Sequence, residues 1–101
     1  MKLLDLDPKW IMKDGRRVGF TFVSPADPKW RQSCFAIPSP STRDQWELFD
    51  TDHVQSCKPG IAWSIAGGIE AADFATLTVM PSIDGSAGGL WHGFITSGEM
   101  R

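Results

Sequence analysis

The chain is predicted to form a mainly β (α+β) domain, a small twisted antiparallel sheet of about five strands with short helical turns. Three observations carry that expectation. Residues 18–23 alternate, with Val18, Phe20 and Phe22 on one face and Gly19, Thr21 and Val23 on the other. Residues 76–80 are a run of β-formers that Pro81, with no N–H to donate, is expected to stop. A glycine-rich loop with Gly85, Gly88 and Gly89 then leads into residues 90–96, which completes an antiparallel pair.

The remaining elements follow in chain order. Asp-Pro-Lys-Trp occurs at residues 7–10 and again at 27–30. Asp suits a helix N-cap and Pro the first helical position, so residues 7–13 are predicted to make one or two helical turns ended by Asp14-Gly15. The second copy predicts a single turn over residues 27–31. Residues 33–37 read as a strand with Phe35 and Ile37 on one face, closed by Pro38 and Pro40. Between residues 39 and 59 the composition is polar and fits neither period, leaving residues 42–49 as a short helix or a structured loop. Ile61, Trp63 and Ile65 alternate as another strand, and Thr96-Ser97-Gly98-Glu99 is a turn that leaves Met100 and Arg101 little length to pair.

At 101 residues and 42% hydrophobic the chain has room for a single domain, residues 1–101. Its formal charge of -2 arises from 12 acidic and 10 basic residues mixed along the sequence. No basic footprint for a phosphate backbone stands out, and the acids are too scattered for a nucleic-acid mimic. No apolar run reaches the roughly 20 residues of a bilayer span, and Asp5 and Asp7 interrupt the start where a signal peptide would be apolar. A soluble, cytoplasmic protein is expected, with Cys34 and Cys57 as free, buried thiols.

Few residues combine into chemistry. Cys34, His53, Cys57 and His92 could supply a Cys2His2 zinc site, but two close ligand pairs are the usual signature and Cys34 and His92 stand alone. A thiol nucleophile with His92 as base and Asp84 or Glu99 as its orienter can be drawn, without a spacing that demands it. The glycines at 85, 88 and 89 precede a strand and not a helix, so they read as a hairpin connection with an Asp84 turn, not a phosphate cradle. No cofactor is expected. The five tryptophans exceed what a small core covers, and Trp30, Arg31, Arg43 and Trp46 are the predicted anchors of a protein interface.

The Asp-Pro-x-Trp start, the VGFTFVSP and TLTVMPSID strands and the WHGFITSGE ending resemble a numbered domain-of-unknown-function family of small bacterial and phage proteins. The likeness covers about two thirds of the chain, is sharpest in PSID and WHGFITSGE, and fails between residues 39 and 59. Members are often zinc-ribbon-like, with a Cys-x-x-Cys pair after the first strand and a further Cys or His before the last. Here the pair falls on Ser24 and Asp27, Leu90 stands two before His92, and only His92 remains as a ligand. The resemblance implies a lost zinc site, aromatic packing in its place and a phage or prophage setting. It implies a non-catalytic module that binds and blocks a host protein or protein complex in the host cytoplasm, such as an inhibitor of a host defence system, CRISPR among them. Direct nucleic-acid and membrane contacts are not expected, while a homodimer is compatible. The alternatives are a metal-binding or hydrolytic protein centred on His92, and a structural component of a phage particle that self-associates through a free edge strand.

Overall fold

In the computed structural model, which describes residues 1–37, 62–86 and 89–101, the protein is mainly β. Among the described residues, seven strands form two antiparallel sheets with one shared core. The first sheet orders β1 (Lys9–Lys13), β2 (Arg16–Val23) and β3 (Arg31–Phe35); the second orders β4 (Ser64–Ile65), β5 (Val79–Asp84), β6 (His92–Thr96) and β7 (Glu99–Met100). Short 3-10 turns at Leu3–Leu6 and Ile69–Ala71 complete the described structure, in which no helix is long and apolar enough to cross a membrane.

The strand centred on residues 18–23 forms as its alternation predicts, but it is longer and has a partner on each side. The predicted helical turns at residues 7–13 are replaced by β1. Asp7 ends the preceding 3-10 turn with φ 49° and ψ 55°, so it does not cap a helix start. Asp14 and Gly15, at φ 53° and 76°, make the two-residue turn of a β1–β2 hairpin that pairs Lys13 with Arg16. Asp-Gly is the dipeptide that adopts positive φ at both turn positions, and pairing against the long β2 outweighs the local Asp-Pro helix signal. Of the turn expected over residues 27–31, residues 27–30 form one, closed by Trp30 N–H donating to the Asp27 carbonyl at 3.0 Å, and Arg31 already begins β3.

Three other boundaries differ. β3 begins and ends two residues earlier than expected, although Ala36 N–H still donates to the Val18 carbonyl at 2.8 Å. Pro81 does not end its strand. Val79 pairs with Ile95 and Ile83 with Gly93, so Met80, Pro81 and Ser82 bulge opposite Phe94. A bulged residue makes no ladder bond, which removes the objection to a proline there. At the other end, Ser97 and Gly98 at φ 49° and 77° turn the chain back, and β7 pairs with β6 through Ile95–Met100 and Thr96–Glu99. The Ile61 end of the predicted 61–65 strand, and residues 42–49, lie outside the described residues.

Phe20, Phe22 and Cys34 from the first sheet meet Ile65, Val79, Ile83, Ile95 and Met100 from the second, with Leu3, Leu6 and Leu77 filling in. Trp10 stacks on Phe74 with ring centres 4.1 Å apart, and the Arg17 guanidinium lies 4.2 Å over it. Arg17 Nη1 also donates to the Ala72 carbonyl at 3.0 Å, which ties the 69–75 connection to the first sheet.

A buried glutamine joins the two sheets. Gln32 faces the core beside Phe22, its partner in register, and is 2% exposed. Its Nε2 donates to the Trp91 carbonyl at 3.0 Å while its Oε1 accepts the Trp91 N–H at 2.9 Å. The amide thus stands in for a rung of ladder just before β6 begins. Gly85 makes room for it, since a Cβ there would lie 2.7 Å from Gln32 Nε2 and 2.8 Å from Leu90 Cβ.

Replacing Gln32 with Leu takes this partner from the Trp91 N–H, while the Trp91 carbonyl keeps the Gly85 N–H at 2.9 Å, and should lower unfolding free energy by about 2 kcal/mol in urea titration. A loss well under about 1 kcal/mol would show that the amide is dispensable. Gly85→Ala should destabilise in the same direction by about 1 to 3 kcal/mol through overpacking, and its effect should not add to that of Gln32→Leu.

Candidate functional site

Trp30 sits on the loop between β2 and β3 and is 42% exposed. The loop is closed by its own polar groups. Ser24 N–H donates to the Trp30 carbonyl at 2.9 Å, Lys29 N–H to Asp27 Oδ1 at 3.2 Å and Ala26 N–H to Ser24 Oγ at 3.3 Å. Pro25 and Pro28 restrict two further backbone angles. The indole is therefore presented from a braced loop, which reduces the conformational freedom it would lose on contact with a partner.

Arg31 is adjacent in sequence but differently employed. Its Nη2 donates to the Asp7 carbonyl at 2.6 Å, Nη1 to Asp7 Oδ2 at 3.2 Å and Nε to Thr21 Oγ1 at 3.1 Å. With its side chain 12% exposed, the guanidinium works as a clamp from β3 across β2 to the segment entering β1. Arg43 and Trp46, the other predicted anchors, lie outside the described residues.

The other described tryptophans are committed to packing. Trp10 lies in the stack with Phe74, Trp63 Nε1 donates to the Ser82 carbonyl at 3.1 Å, and Trp91 sets its ring edge-on to Phe22 at 5.9 Å. Trp30 is the one exposed tryptophan among the described residues.

The two described members of the predicted ligand set, Cys34 and His92, do not come together. Cys34 is fully buried in the core beside Phe20. His92 alternates outward with Phe94 and Thr96 on β6, so the second sheet stands between it and the core. His53 and Cys57 lie outside the described residues, and among the described ones no three His, Cys, Asp or Glu side chains converge. Asp84, paired with His92 in register, places Oδ1 3.9 Å from His92 Nδ1. That separation admits a screened ion pair with a protonated imidazole but exceeds a hydrogen bond. The same Oδ1 accepts the Ser86 N–H at 2.9 Å and the Ser86 hydroxyl, the Asx turn expected for Asp84.

Sequence reasoning missed the outer face of the second sheet. Met80 and Phe94 are 52% and 55% exposed on neighbouring strands, with Pro81 exposed in the bulge. A period-2 alternation through residues 90–96 puts Leu90 on the face of His92 and Phe94, but Leu90 is turned inward, its N–H donating to the Gly85 carbonyl. A proline within a run of β-formers is the signal that could have revealed the bulge. Comparison of the chain with family models, curated proteins and solved structures finds no match.

Arg31→Ala is expected to act on stability, lowering unfolding free energy by about 1 to 2 kcal/mol through the lost bonds to the Asp7 carbonyl and Thr21. Asp7 itself is mostly exposed, so 1 M salt should remove only a small part of the effect. A variant as stable as wild type in chemical denaturation would show that the clamp carries no load.

Proposed function

We propose that this chain is a non-catalytic protein-binding module whose contact with its partner centres on Trp30. The observation that carries this reading is a large, 42% exposed indole on a loop fixed by its own hydrogen bonds, in a chain that uses its other described tryptophans for packing. Rigid aromatic side chains of this kind dominate the energetics of protein interfaces, because they bring large apolar area at low entropic cost. The complementary surface is an apolar pocket of a folded protein. Arg31 clamps the strand that follows the loop to the Asp7 segment, while Arg43 and Trp46 are carried forward from the sequence as further contacts.

The biological setting rests on the family resemblance of the PSID and WHGFITSGE segments. In that setting the module is encoded by a phage or prophage, acts in the host cytoplasm and blocks a host protein or complex, with defence systems as the class of target. Binding alone is sufficient for such inhibition.

Trp30→Ala should abolish enrichment of a specific host protein on the immobilised chain while leaving the far-ultraviolet circular dichroism and melting temperature unchanged. Undiminished enrichment by Trp30→Ala would remove Trp30 from the interface. Expression of the wild-type chain should raise plaque formation on a host with an active defence system, and the Trp30→Ala chain should not; equal plaque counts with and without the chain would count against the defence-inhibitor reading.

A further inference from the structure

The outer face of the second sheet supports an inference independent of Trp30. β6 turns His92, Phe94 and Thr96 outward and Gly93 and Ile95 toward the core. On one flank stand Met80 and Pro81 of the bulge, with Asp84 opposite His92. On the other flank is Arg101, whose N–H donates to the Phe94 carbonyl at 2.9 Å and whose carbonyl accepts the Phe94 N–H at 2.8 Å. Residues paired in this way share a face, so Arg101 lies beside Phe94 on the exposed side.

The sheet edge beside β7 is already occupied. Lys2 bridges to Glu99, and Met100 N–H donates to the Met1 carbonyl at 2.7 Å. Further strand addition at that edge is therefore blocked by the chain itself, whereas the face beside it presents Met80 and Phe94 to solvent.

We propose that a second copy of this chain covers this face, the two subunits packing sheet against sheet about a two-fold axis that runs along β6. The argument is charge complementarity. The face carries a carboxylate, Asp84, on the β5 flank and a guanidinium, Arg101, on the β7 flank. A two-fold along β6 exchanges the flanks, which sets Asp84 toward Arg101 of the partner subunit and repeats that pairing on the other side. The offset is one residue pair along the strand, roughly 7 Å, which an arginine side chain spans. Phe94 meets Phe94 of the partner subunit, and Met80 and Pro81 cover the aliphatic stem of Arg101 of the partner subunit. Glu99 falls over Thr78 of the partner subunit and His92 over His92 of the partner subunit, so the arrangement brings no two carboxylates into opposition.

The size of the face sets the strength. Four short strands at about 4.8 Å spacing offer about 400 Å² of flat surface, roughly half of a standard interface per partner. The dimer is accordingly weak and reversible.

Sedimentation equilibrium on the full chain tests the proposal. The wild type should follow a monomer–dimer equilibrium, and Phe94→Asp should be monomeric with an unchanged circular dichroism spectrum. Asp84→Arg and Arg101→Asp should each weaken the dimer about tenfold, because the axis applies every change twice. The double exchange should recover most of the wild-type affinity, although it shares the Asp84 turn loss with the single variant. Three results would overturn the proposal: a wild type that stays monomeric at millimolar concentration, a dimer indifferent to Phe94→Asp, or a double exchange no tighter than the singles. Trp30→Ala should leave the dimer unchanged, so this inference and the Trp30 reading can fail separately.

Discussion

Two sheets that share a core but not a continuous ladder need directional contacts that fix how one sits on the other, and here Gln32 supplies the buried one, beside the Trp63 N–H bond to the Phe35 carbonyl at 2.7 Å. Apolar packing between Phe20, Phe22, Val79 and Ile95 is strong but non-directional, and would tolerate sliding. The amide of Gln32 bonds both main-chain groups of Trp91, the residue immediately before β6. Both its donor and acceptor ends are used within a core that would otherwise penalise them. The neighbouring residues are shaped around that contact. Phe22 pairs with Gln32 in register and receives the Trp91 ring edge-on, and Gly85 leaves the space a side chain would take. The outward placement of His92 and Phe94 follows from the pairing of β6 with β5 and β7, and the Gln32 amide holds the residue just before that ladder.

The aromatic and basic residues divide by what surrounds them more than by type. Trp10, Trp63 and Trp91 each find a ring or a carbonyl within the fold, while Trp30 lies on a loop whose bonds are satisfied without its ring. Arg17 and Arg31 are both drawn into backbone carbonyls of distant segments and act as clamps. Among the described residues the large apolar side chains left exposed include Trp30 and the Met80–Phe94 pair. Such a surface suits binding, since exposed apolar side chains in a small domain gain most from being covered.

Much of the fold was legible in local patterns. The alternation of Val18, Phe20 and Phe22 marked β2, and the glycine-rich loop leading into residues 90–96 marked β6. The Asp84 turn and the single turn at residues 27–30 were equally readable, because Asx and turn chemistry acts over two or three residues. Asp14-Gly15 was read as a helix stop although Asp-Gly between alternating residues is also a hairpin signal; the Asp-Pro-Lys-Trp preceding it carried a helix-start pattern that favoured the wrong choice. For the site, the exposure of Trp30 followed from counting indoles against core capacity, but the employment of Arg31 depended on Asp7, 24 residues away in sequence.

By itself the sequence determined that the protein is mainly antiparallel β, where several of its strands and turns fall, and that tryptophan area would exceed the core. These are properties of periodicity and of short-range backbone chemistry, which neighbouring residues impose on one another. Tertiary structure alone decided that the strands divide into two sheets, that Pro81 is absorbed in a bulge and that Arg31 is bound to Asp7 and Thr21. It also separated Cys34 from His92 by a sheet and set Phe94 between Asp84 and Arg101. Each of those outcomes depends on strand partners and register between distant segments, and a shift of one residue in register would send the same side chains to the opposite face.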